Sequence, residues 1–177
     1  MNILKEEQIR EQAVFDIACK MAAAARTAPK GRGVDNIEIA ILKKEEIKLV
    51  SDRLKQMANE KELPAFFLRD AENILSAQAM LIMGTKVSAL GLNPCGLCGF
   101  GNCESKPATA PCAFNTGDLG IAVGSAVSIA TDNRIDNRIM YTVGLAITDL
   151  KLLGDEVKIA YGIPLSISSK NPFFDRK

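Results

Sequence analysis

Ala79-Met-Leu-Ile-Met83, closed by Gly84, places five apolar residues in an unbroken row. A run this short, ended by glycine, predicts a strand buried on both faces, at the centre of a sheet rather than at its edge. The sequence on either side of it reads mostly as helix.

Upstream, residues 5–27 read as one helix, with Val14, Ile17, Ala18, Met21, Ala22 and Ala25 at helical spacing, and Pro29-Lys30-Gly31-Arg32-Gly33 breaks it. Cys19, beside Ala18 and Ala22, reads as a core thiol. Residues 37–42 alternate isoleucine on one face and predict a strand. A second helix carries Ile47, Val50, Leu54, Met57 and Ala58 on one stripe, and a short one spans residues 70–76. Downstream, residues 118–131 are apolar almost all round, a buried helix opened by Asp118 as its cap. Residues 137–150 read as a further helix, and Val157, Ile159, Tyr161 and Ile163 alternate as the last strand. The layout is α+β, one domain over residues 1–177.

Residues 91–117 follow neither period. They hold four of the five cysteines, three of the seven prolines and a cluster of glycines, and are read as an irregular, functional loop inserted in the domain.

Composition narrows the chemistry. Apolar residues make up 47% and charged ones 24%, with a net charge of +1, so electrostatics favours neither nucleic acid nor a membrane surface as partner. Trp is absent and aromatics are 5%, which argues against base-stacking platforms. The charged N-terminus and the lack of any apolar run near the ~20 residues of a membrane span lead to a cytoplasmic expectation. In that compartment the cysteines are expected to bind metal or do redox work rather than form disulfides. His is absent, which removes the commonest general base and nitrogen ligand and argues against hydrolytic or acyl-transfer catalysis.

The cysteine spacing is Cys95-x2-Cys98-x4-Cys103-x8-Cys112. A tight pair with a third thiol close behind can wrap one face of a compact cluster, and the fourth arrives from a later turn. Gly96, Gly99 and Gly101 between the thiols allow positive φ and bring backbone N–H groups towards sulfur. Zinc is the competing reading, although four-cysteine zinc sites usually show two tight pairs and here the second is missing.

Two resemblances rest on these residues. Cys95-Gly-Leu-Cys-Gly-Phe-Gly-Asn-Cys103-Glu resembles the four-iron four-sulfur motif of small electron-transfer domains, such as those in the Rnf complex and in carbon monoxide dehydrogenase/acetyl-CoA synthase. The rest resembles the FMN-dependent nitroreductase superfamily: Ala25-Arg-Thr-Ala-Pro29 followed by Asn36 and a strand, the helix opening Asp118-Leu-Gly-Ile-Ala122, and Val157-Lys-Ile-Ala-Tyr-Gly-Ile-Pro164. With its ending Lys170-Asn-Pro-Phe-Phe-Asp-Arg176, the chain as a whole resembles the uncharacterised ferredoxin-domain-containing proteins of anaerobic bacteria and archaea.

The resemblance implies a nitroreductase-like fold, with a central mixed or antiparallel sheet flanked by helices. It also implies a [4Fe-4S] cluster on Cys95, Cys98, Cys103 and Cys112, electron transfer coupled to FMN at a dimer interface, a homodimer, and a redox partner that it does not identify. Arg26, Lys30, Arg32 and Asn36 are the candidate FMN residues, with Lys170 and Arg176 as further phosphate partners. The same cations also read simply as charges completing the end of a helix dipole. Pro172-Phe173-Phe174 is an apolar anchor expected to dock on another subunit. The alternative function is a non-enzymatic, zinc- or cluster-stabilised binding or sensing module on a degenerate flavin fold.

Overall fold

A computed structural model describes residues 3–174. Helix α1 (Glu6–Thr27) leads through a 3-10 turn (Gly31–Gly33) to β1 (Ile37–Leu42). Helices α2 (Lys44–Glu60) and α3 (Phe66–Ile74) precede β2 (Ala79–Lys86). An irregular segment then reaches α4 (Ala113–Asp132), followed by β3 (Asp136–Asn137), α5 (Tyr141–Asp149), β4 (Val157–Ser166) and a closing 3-10 turn (Pro172–Phe174). The strand order is β1-β2-β4-β3 and every pairing is antiparallel.

β2 lies at the centre, as its apolar run predicts, and is buried from Ala79 to Thr85. Alternation divides it between two cores. Ala79, Leu81 and Met83 face α1 and α4, joined by Val14, Met21, Leu119 and Ala126. Met80 and Ile82 face the other side, with Leu54 of α2, Ile74 of α3 and Ile147 of α5. The molecule is three layers, helix, sheet and helix, and burial on both faces contributes most of its stability. Among the described residues no helix is long and apolar enough to cross a membrane.

Gly84 does not end β2; the strand runs on to Lys86. Its glycine is needed because a Cβ there would stand 2.5 Å from Val157 Cγ1. Pro164 sits inside β4 without cost. Gly162 exchanges both backbone bonds with Met140, so Pro164, two residues on, points its missing donor at the same edge, where the ladder to β3 has not yet resumed.

Other boundaries moved. α3 starts at Phe66, directly behind Pro64, and α4 starts at Ala113, so Asp118 stands in its second turn and is not a cap. Asn137 belongs to β3, paired with Leu165, and α5 begins only at Tyr141. Cys19 is exposed: the buried line of α1 runs through Val14, Ala18, Met21 and Ala25, and one further residue rotates the thiol about 100° into solvent. The tail anchor is also used differently. Phe173 is fully buried in this chain's own core beside α3, and its carbonyl accepts a hydrogen bond from Arg138 at 2.8 Å. Only Phe174 stays exposed. Arg176 lies outside the described residues.

Candidate cofactor site

Three pieces of chain meet at one end of the sheet: the α1–β1 turn, the exit of β2 and the first turns of α4. The Lys86 N–H donates to the carbonyl of Asn36 at 3.0 Å, which ties the turn to the end of β2. Asn115, buried in the first turn of α4, closes the stem of the cysteine segment. Its Oδ1 accepts the Ser88 N–H at 3.0 Å and the Cys112 N–H at 3.3 Å. Two backbone donors on one atom identify that atom as the amide oxygen. Asn115 Nδ2 is left buried and without a partner.

The turn is tied to α4 as well. The Gly31 N–H donates to Asp118 Oδ2 at 3.0 Å. Gly31 is required by close approach, since a Cβ would stand 2.6 Å from Leu90 Cδ1 and 2.9 Å from Phe114 Cδ1. Arg32, with φ of 55°, donates from Nη1 to the Leu90 carbonyl at 2.8 Å.

The cations of the expected phosphate patch are engaged within this chain. Lys30 Nζ donates to the carbonyls of Ala25 (3.0 Å) and Arg26, the last-turn acceptors of α1. Arg26 Nη1 donates to Asp35 Oδ2 at 2.6 Å and to the Ile37 carbonyl at 2.9 Å. Partial burial works against ionisation of Asp35. Hydrogen bonds from Arg26 and the Ile37 N–H, with the nearby charges of Arg26 and Lys30, nevertheless hold its pKa below the ordinary value. These cations therefore complete the helix end and the turn. The fourth candidate, Asn36, is different: its Nδ2 is buried and has no partner.

Between the turn, α4 and the cysteine segment lies an apolar cavity of about 330 Å³, lined by Lys30, Gly31, Leu97, Phe114, Asp118 and Ile121 among others. That is within the range of small-molecule sites. A larger hollow of about 450 Å³ between α1 and the start of α2 contains none of the expected cofactor residues.

The four cysteines share one segment. Cys95 is exposed, Cys98 and Cys103 are half-buried, and Cys112 is buried at the boundary of α4; all are free thiols. Gly96 and Gly99, each directly after a cysteine, have φ of 121° and 86°, and the Gly99 N–H closes a turn on the Gly96 carbonyl at 2.9 Å. Among the described residues, no three His, Cys, Asp or Glu side chains are gathered where they could hold a metal ion. The donor set matches an iron–sulfur cluster in chemistry, and an orphaned donor stands beside Cys112, but in this conformation the thiols do not converge. In the sequence Asn115 reads only as a polar pocket liner that nothing in its spacing demands; its one local signal is the Cys112-x-x-Asn115 spacing at a helix start, the position from which a side chain reaches back to the cap N–H.

A family model described as an uncharacterized protein containing a ferredoxin domain matches residues 108–176. An uncharacterized protein of Archaeoglobus fulgidus is 39% identical over 184 residues, covering 98% of this chain and 97% of that protein. Among solved structures, a nitroreductase with bound FMN from Bacteroides fragilis matches with a TM-score of 0.63 at 14% identity, covering 92% of this chain and 81% of that one. A nitroreductase with bound FMN from Desulfitobacterium hafniense matches at 0.62 and 17% identity, covering 88% and 78%. A nitroreductase family protein from Clostridium novyi matches at 0.59 and 14% identity, covering 86% and 73%. The fold is nitroreductase-like.

Proposed function

The chain belongs to the family of uncharacterised proteins containing a ferredoxin domain, and from that footing we propose that it is an iron–sulfur redox protein whose cluster works beside a flavin. Cys95, Cys98, Cys103 and Cys112 would hold a [4Fe-4S] cluster, which supplies one-electron transfer when bound. The observation that carries this reading is a shared wall: Leu97, between Cys95 and Cys98, lines the cavity that Lys30, Gly31 and Asp118 form at the head of α4. A flavin there would lie next to the thiol segment.

The chain's own residues supply position and polarity. Asn36, in the same turn, has a buried and unpartnered Nδ2 but does not itself line this cavity, so Lys30 is the expected cofactor residue at its wall. The Gly31–Asp118 bond fixes the turn against α4, and Phe114 and Leu97 keep the cavity apolar. The thiol segment, held at Ser88 and Cys112 by Asn115, would close round the cluster as metal binds, in the way metal sites couple to local folding. A homodimer would bring two such sites together. The outward face of α4, with Thr116, Gly117, Gly120, Ile121 and Gly124 exposed and uncharged, is suited to that contact. The protein would act in the cytoplasm, where the thiols stay reduced.

Anaerobic purification with metal and flavin analysis is the test. Brown protein with about four irons and about four acid-labile sulfides per chain, releasing FMN on denaturation, is the expected result. Colourless protein with a single zinc per chain overturns it in favour of a structural module. A monomer in light scattering removes the shared interface.

A further inference from the structure

The α1–β1 turn, the thiol segment and α4 enclose the cavity, and every cation they carry is bound to an oxygen of this chain. Arg26 is held by Asp35 and the Ile37 carbonyl, Lys30 by the Ala25 and Arg26 carbonyls, and Arg32 by the Leu90 carbonyl. Lys106, the one cation of the thiol segment, donates to the carbonyls of Pro107 at 3.1 Å and of Ala110. Helix α4 has no Lys or Arg.

The one free charge at the wall has the opposite sign. Asp118 is buried and lines the cavity, with Oδ2 on the Gly31 N–H and no partner for Oδ1 among the described residues. Its carboxylate, in the second turn of α4, also meets the end of the helix dipole that would otherwise attract an anion. Leu97, Phe114 and Ile121 keep the rest of the lining apolar. A phosphate placed here would face a carboxylate and no free cation, and a charge in apolar surroundings without a partner is costly.

We infer that the cavity recognises its ligand by a neutral aromatic ring and takes nothing from a phosphate, so that it binds riboflavin as well as FMN. The inference rests on the flavin reading above and specifies it: the ring lies in the cavity and the ribityl phosphate of FMN stays in solvent. A site that grips phosphate does so through charge-assisted, often bidentate hydrogen bonds, and the guanidinium groups able to make them are engaged elsewhere. The cavity, about 330 Å³, is at the small end of the range of ligand pockets, which suits a ring system better than a whole nucleotide.

Titration of the anaerobically purified full chain, freed of flavin, with riboflavin, FMN and inorganic phosphate tests this, read by quenching of flavin fluorescence. The dissociation constants of riboflavin and FMN should agree within about threefold, and phosphate should displace neither. Arg26→Gln, Lys30→Gln and Arg32→Gln should leave the ratio of the two constants unchanged, whatever each does to the turn. FMN bound more than about threefold more tightly than riboflavin, or displaced by phosphate, overturns the inference and leaves the flavin reading standing. A selective loss of FMN affinity in any of the three variants does the same. Wild-type protein that binds neither flavin sinks both. Where a variant does not fold, the wild-type ratio decides.

Discussion

Asp118 and Gly31 are joined at 3.0 Å, carboxylate oxygen to backbone N–H, across 87 residues of sequence. The bond pins the turn after α1 to the second turn of α4, and the cavity beside the cysteine segment opens between the two. A flexible glycine turn thereby becomes a fixed wall. The charged side chain opening the apolar stretch of α4 serves tertiary structure rather than its own helix end.

Replacing Asp118 with alanine removes a charged acceptor from a buried position and strands the Gly31 N–H. The expected loss is about 1.5–3 kcal/mol, read as a lower urea midpoint with an unchanged slope. Asp118→Asn keeps an acceptor oxygen and should lose less. Equal losses for the two variants would show that the bond to Gly31 is not what Asp118 contributes.

Gly144 lies inside α5, where local propensity favours alanine by about 1 kcal/mol. Packing reverses the sign. A Cβ at this position would stand 1.8 Å from the Ala160 carbonyl oxygen, because α5 rests directly on β4. Gly144→Ala is expected to destabilise by about 3 kcal/mol, measured by thermal or chemical unfolding. A variant as stable as the wild type would mean that α5 sits farther from the sheet.

Asp35 gives a pH dependence. Its folded pKa lies below the ordinary 3.8, burial opposing and the Arg26 and Ile37 hydrogen bonds prevailing. A depressed carboxylate contributes stability that is complete above the unfolded value and is lost as pH falls through the folded one. Wild type should therefore exceed Asp35→Asn in unfolding free energy at pH 7, and the gap should narrow below about pH 4. A gap independent of pH would exclude the ion pair as its source.

Much of this fold was legible because its signals are local. The stripe Ile47, Val50, Leu54, Met57 and Ala58 is buried throughout, and β1 has the bounds its alternation gives. Lys30 at the end of α1 does what a cation near helix carbonyls is expected to do. The start of α4 was hidden because Asn115, Thr116 and Gly117 are weak helix formers, so the loop seemed by composition to run past Cys112. Asn137 reads as helical from its neighbours alone because its strand partner, Leu165, lies far along the chain. Asn115 with Ser88, and Gly31 with Asp118, are likewise contacts between distant residues, and neither periodicity nor propensity carries them.

The tail supplies the last test. Phe173 is fully buried against α3, where Asp70 accepts a hydrogen bond from Thr142 at 2.9 Å and pairs with Arg69 at 2.9 Å and Arg138 at 3.6 Å. Arg138 also holds the Phe173 carbonyl, while Phe174 lies outside with its ring 5.2 Å from the Arg138 guanidinium. Phe173→Ala empties a core site and is expected to cost about 3–5 kcal/mol. Phe174→Ala loses one exposed cation–π contact and should cost no more than about 1 kcal/mol. Subunit association enters neither estimate, so the difference between the two variants should not change with protein concentration. A concentration-dependent loss in Phe173→Ala would instead assign that ring to an interface between chains.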